Sequence, residues 1–126
     1  MINNLAKKIH ENAKNKGFFD NEKNIGEMLC LIHSEVSEAL EADRKDSYSD
    51  WDNFNKELKA QENGGHKDAW KTAFDIHIKD TFEDELADIM IRVMDLAAFK
   101  GIDLESHIEA KMNRNALREH KHGKKY

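Results

Sequence analysis

Two pairs of carboxylates, each spaced i, i+3, are the residues of this chain best suited to chemistry. Glu35 and Glu38 lie in LIHSEVSEALEA, and Glu85 and Asp88 in FEDELADIMIRVMDLAA. On a helix that spacing puts both members of a pair on one face. At about 100° per residue, Glu35 falls among Met28, Ile32 and Ala39, with Glu38 on the border of that apolar stripe. Glu85 likewise falls among Ile89 and Leu96, with Asp88 and Arg92 just to one side. An acid turned toward a core is costly unless a cation meets it. If the two helices pack antiparallel, four carboxylates converge, and like charges that close must otherwise take up protons. Mg²⁺ removes the conflict. It prefers hard oxygen ligands, keeps several waters and shares its shell with substrate phosphates.

Other metals fit less well. Zinc sites favour Cys and His, and Cys30 and His33 lack partners at ligand spacing. A di-iron bundle needs Glu-x-x-His on two helices, and neither acidic segment carries that motif. A single ExxE is ordinary on a solvated helix face. Two pairs, each overlapping an apolar stripe, make a candidate site.

The elements that must position these acids are helices. The apolar period predicts helix 1 over about 2–16, stopped by Gly17, and helix 2 over about 25–44, capped by Asn24. Helix 3 is predicted over about 82–99, capped by Thr81, with acids in its first turn and Gly101 after it. Helix 4 follows Asp103, a good N-cap, and runs to about 119. The stripes are Met28, Leu29, Ile32, Val36, Ala39 and Leu40 on helix 2, and Leu86, Ile89, Met90, Val93, Leu96 and Ala97 on helix 3. Residues 45–80 differ in character: they hold Trp51, Trp70, Phe54, Phe74 and a Gly64–Gly65 turn, and read as two short helices. The expectation is an all-α fold: one domain over 1–126, a four-helix-bundle-like subunit with an inserted helical hairpin at about 45–80.

Composition agrees. The chain has 126 residues, no proline, 39% apolar and 36% charged residues. So little apolar content suits amphipathic helices whose core a second subunit completes, giving an oligomer. The lone Cys30 forms no internal disulfide, which fits a reducing compartment. No apolar run nears the roughly 20 residues that cross a bilayer. The start, MINNLAKKIHENAK, lacks the apolar centre of a secretory leader, so no membrane association and a cytoplasmic location are expected.

The net charge of −5 conceals an asymmetry. Residues 111–126 contain six Lys/Arg and one acid, so the rest of the chain carries −10. On helix 4, Lys111, Asn115 and Arg118 share a polar edge, which Lys121 and Lys124 could extend. A lysine, an amide and an arginine in a row suit phosphate oxygens, although basic residues also favour any helix C-terminus. Nucleic-acid binding is disfavoured, because the body is acidic and no aromatics interleave with the basic residues.

EVSE, then ELAD, then KMNRNALREHKHGKKY resembles the MazG-like group of the all-α NTP pyrophosphohydrolases. The resemblance covers roughly residues 24–44 and 81–126. ExxE and ExxD are individually weak; their order, with the downstream KMxxNxxR and HGKK, is more specific. It implies helical subunits in dimers or tetramers that hydrolyse nucleoside triphosphates to monophosphate and pyrophosphate. By that resemblance Mg²⁺, or Mn²⁺, binds Glu35, Glu38, Glu85 and Asp88. Lys111, Asn115 and Arg118 match the family's phosphate contacts more loosely. Glu38 is the expected acceptor of the attacking water's proton. Forty-six residues separate Glu38 from Glu85, more than the compact motif has. That insert could shape a base pocket, cover the site or build a subunit contact, and Trp51 or Trp70 could stack on a nucleobase. Two other readings stand beside this one: a relative acting on a phosphoribosyl-nucleotide, and a non-enzymatic helical oligomerisation or adaptor module whose acids pair with Arg92 or with a partner's lysines.

Overall fold

A computed structural model describes residues 1–118 and 124–125. Among them are six α-helices: α1 (Ile2–Asn15), α2 (Ile25–Arg44), α3 (Trp51–Asn63), α4 (Ala69–His77), α5 (Phe82–Phe99) and α6 (Leu104–Ala116). The fold is all-α, and none of these helices is long and apolar enough to cross a membrane. The chain divides into two compact units. One comprises Asn24–Arg92; the other comprises Met1–Lys23 with the chain from Val93 onward.

In the 24–92 unit, local chemistry sets the helix ends. The Asn24 side chain accepts from the Glu27 amide (3.1 Å) and opens α2. The Asp50 carboxylate accepts from the Asn53 amide (3.0 Å) and opens α3. Thr81 opens α5. Its hydroxyl donates to the Ile78 carbonyl (2.6 Å), accepts from the Asp84 amide (3.3 Å) and meets Ser49 Oγ (2.8 Å). These bonds satisfy a hydroxyl that is almost wholly buried and fix the direction in which α5 departs.

α3 and α4 pack on each other around Phe54, Ala73 and Ile78, flanked by Leu58 and Phe74. The turn between them uses Gly65 at φ +75°, a left-handed conformation that glycine adopts without a Cβ penalty. Trp51 and Trp70 lie outside this small core, both more than half exposed. Each meets Phe54 edge-on, with ring centroids 5.2 and 6.0 Å away, and Trp70 also stacks on Phe74 (5.1 Å).

In the other unit, α1 is tied to the start of α6. Asn3 Nδ2 donates to Asp103 Oδ1 (2.7 Å), the Glu105 amide donates to Asn3 Oδ1 (3.1 Å), and the Ile2 amide donates to Glu105 Oε1 (2.6 Å). His10 Nδ1 lies 2.8 Å from Asp95 Oδ1 on α5, with the imidazole edge-on to Phe19 (4.6 Å). α1 stops before Gly17 (φ +85°), and Gly101 (φ +67°) follows α5.

Two expectations change. α6 ends at Ala116 instead of about 119, because the Leu117 and Arg118 amides turn back onto the carbonyls of Arg114 (3.2 Å) and Asn115 (3.1 Å). The apolar stripes are also wider than the surfaces they bury. On α2 the buried residues are Glu35, Ala39 and Ala42, while Leu29, Val36 and Leu40 are about half exposed. On α5, Leu86 and Met90 are similarly exposed. The inner line of α2 is narrow and alanine-rich, and the bulky residues flank it.

Candidate metal centre

α2 and α5 each turn one acid inward. Glu35 is 7% exposed and Glu85 5%, both more buried than the leucines of their own helices. One oxygen each of Glu35, Glu85 and Asp88 lies within 4.8 Å of the others. Asp88 is half-buried; Glu38, one turn after Glu35, is exposed and stands outside that trio. The sequence pairs therefore do meet, but as three close carboxylates and one at the rim.

Among the described residues a single cation, Arg92, is bonded to this group. Arg92 Nε donates to Glu35 Oε1 at 2.7 Å. Arg92 lies one turn beyond Asp88, so one helix supplies two of the acids and the counter-ion. Glu85 is left differently: its Oε2 is fully buried and has no hydrogen-bond partner among the described residues. A buried carboxylate oxygen without a donor is costly and uncommon.

The charges respond as crowding requires. Burial, reinforced by Glu35 and Glu38, pushes the Glu85 carboxyl up to about 7. Burial also raises Asp88, with the charges of Glu35, Asp84 and Asp80 adding to it. Glu38 is raised chiefly by Glu35. Glu35 goes the other way. Burial acts to raise it, but the Arg92 guanidinium and the protons shared with Glu38 and Glu85 hold it below the usual range. Four acids facing one guanidinium cannot all be ionised cheaply, so protons are retained where the field is most negative.

This donor set fits a hard divalent cation. It is all-oxygen, it carries excess negative charge, and one of its buried oxygens is unsatisfied. Among the described residues no other group of His, Cys, Asp or Glu converges in this way. Cys30 and His33, on the same helix, are both exposed. Two acids escaped the sequence reading. Asp80 and Asp84 precede Asp88 at intervals of four, a row that Arg92 continues, and both add negative field at Asp88. The i, i+4 spacing was the available signal.

The basic residues belong to the other unit. Lys111 and Arg118 are exposed on the last turns of α6 and just past it, and Lys124 is exposed. Asn115 is half-buried, and its Oδ1 is buried without a partner among the described residues. Lys121 lies outside the described residues. No family model, curated protein or solved structure matches the chain.

Proposed function

We propose that this chain is a Mg²⁺-dependent nucleoside triphosphate pyrophosphohydrolase, releasing a nucleoside monophosphate and pyrophosphate. The observation that carries the reading is the meeting of Glu35, Glu85 and Asp88 from two separate helices, with a buried Glu85 oxygen lacking a partner among the described residues. Glu35, Glu85 and Asp88 would hold the cation, with the exposed Glu38 as a fourth ligand. When bound, the ion supplies positive charge against phosphate oxygens and acidifies a nearby water. Glu38, being exposed and raised by Glu35, is the carboxylate best placed to take that water's proton. Arg92 keeps Glu35 ionised and oriented. Lys111, Asn115 and Arg118 enter as donors to the leaving pyrophosphate on the strength of the motif resemblance, with Lys121 and Lys124 extending them. The same resemblance supports a bundle-like subunit in which α3 and α4 form the inserted hairpin, assembled as a homodimer or homotetramer.

The experiment is a substrate panel. Purified protein with Mg²⁺ and each NTP and dNTP releases pyrophosphate, and Glu38→Gln and Asp88→Asn abolish the release while retaining helical circular dichroism. Orthophosphate as the primary product would mean another reaction, and turnover confined to a phosphoribosyl-nucleotide would move the chain to that related activity.

Two observations favour a non-enzymatic reading, an oligomerisation or adaptor module. Arg92 already partners Glu35, and the half-exposed Leu29, Val36 and Leu40 resemble a contact face. Thermal melting separates the two. A ligand at a hundredfold excess over its Kd stabilises the folded state by about 2.7 kcal/mol. The enzyme reading expects a rise in Tm with Mg²⁺ and a nucleotide; an unchanged Tm favours the adaptor.

A further inference from the structure

In the unit that holds α1 and α6, a cavity of about 330 Å³ opens between α1 and the turn from α5 to α6. It exists because small residues meet there: Ala6, Ala98 and Gly101 all border it, and a Cβ at Gly101 would touch nothing within 4 Å. A water molecule's share of liquid is about 30 Å³, whereas small-molecule sites begin at roughly 300 Å³. Ala6, Ala98 and Ile102 make one side apolar, and Asn3, Lys7, His10, Glu11 and Asp103 make the other polar. Asn3 and Asp103 are largely spent within the protein. They bond each other (2.7 Å), and Asp103 also accepts from the Ser106 amide and hydroxyl. Lys7, His10 and Glu11 share a face of α1 through their i, i+3 and i+4 spacing, and they keep capacity for a ligand. Among the described residues the ion pairs of this unit join Glu11 to Lys14, Met1 to Glu105 and His10 to Asp95, leaving Lys7 out. Glu11 has only the exposed Lys14 ammonium (2.7 Å), a contact with which water competes. His10 engages Asp95 Oδ1 through Nδ1 (2.8 Å). A carboxylate only accepts, so Nδ1 holds the proton and Nε2 of the neutral ring is an acceptor. Phe19, edge-on at 4.6 Å, helps fix the ring.

We propose that this cavity binds a small zwitterion, an α-amino acid with an aliphatic side chain. The mixture of charges decides the class. A simple anion that reaches Lys7 also meets Glu11 and Asp103, and a simple cation that reaches the acids meets Lys7. A molecule carrying both signs satisfies both. Its carboxylate takes the Lys7 ammonium, its ammonium takes Glu11 and His10 Nε2, and its side chain lies on Ala6, Ala98 and Ile102. His, Cys, Asp and Glu do not converge here as they do around Glu35, so a metal ion is not the occupant. The inference is independent of the enzyme reading, because no residue of the cavity belongs to the acidic group.

The test is calorimetric titration of the full chain, in chelator and without nucleotide, with three probes. L-Leucine carries both charges, isocaproate lacks the ammonium and isoamylamine lacks the carboxylate. Saturable binding of L-leucine is expected, with each truncated probe weaker by about tenfold or more, the factor that one charge-assisted hydrogen bond supplies. Lys7→Gln and Glu11→Gln, both at exposed positions, should each weaken L-leucine about tenfold while helical circular dichroism is unchanged. Ala98→Met, which fills the cavity, should abolish binding. No saturable heat with L-leucine at millimolar concentration overturns the proposal. Isocaproate or isoamylamine binding as tightly as L-leucine overturns the zwitterion assignment. Unchanged affinity in Lys7→Gln and in Ala98→Met overturns the location.

Discussion

Glu85 is the residue on which the site turns. Its folded-state carboxyl titrates at about 7, against an ordinary 4.5. Between those values the folded metal-free protein keeps a proton that the unfolded chain has released. Stability must therefore fall as pH rises from about 4.5 to 7, by at most about 1.4 kcal/mol per pH unit for one such group. Urea denaturation across that range, in chelator, measures it, and Glu85→Gln should flatten the profile. Arg92→Ala tests the opposite member. Glu35 would be left buried without its donor, and a loss of about 1–2 kcal/mol is expected, below the full cost of breaking a buried pair because Arg92 is partly exposed. Added Mg²⁺ should recover part of that loss if it takes over the guanidinium's role. The four acids were legible in the sequence because i, i+3 spacing and the apolar stripe place them together. Their ranking was not, because which carboxylate lies deepest depends on how closely two alanine-lined helices approach, and no periodicity encodes that distance.

At the scale of elements, the ends of helices were the most readable feature. Asn24, Thr81 and Asp103 cap α2, α5 and α6 as their side-chain chemistry dictates, since each competes for amides that have no helical partner. Asn24→Ala should cost about 1 kcal/mol in thermal or chemical denaturation. Residues 45–80 gave up their two helices from aromatic spacing and a glycine pair, yet the fate of the tryptophans was not foreseeable. Large rings suggest a core, but Phe54 fills the space between α3 and α4 and leaves both indoles outside it. Phe54→Ala should accordingly be the more damaging change, about 3 kcal/mol by the cavity it leaves. Replacing either tryptophan by phenylalanine should alter stability far less.

At the scale of the molecule, low apolar content and amphipathic helices led to the expectation of a shared core. The apolar rows of α2 and α5 lie about half in water. Sedimentation equilibrium at micromolar concentration should return two or four times the chain mass of 14.6 kDa; the single-chain mass would remove the oligomer from the proposal. All-helical architecture was legible from the 3.6-residue period and the absence of proline. The division of the chain into two compact units, with its boundary inside α5, was not, because a continuous helix carries no local mark of where its neighbours change.

Both indoles sit on one helix pair, each touching the same phenylalanine and each open to water. Intrinsic emission of this protein is therefore a private readout of α3 and α4, whereas far-ultraviolet ellipticity sums over every helix. Should that pair loosen ahead of the rest, the two optical signals will melt at different midpoints. A shared midpoint would make the aromatic appendage one cooperative body with the helices that carry the acids.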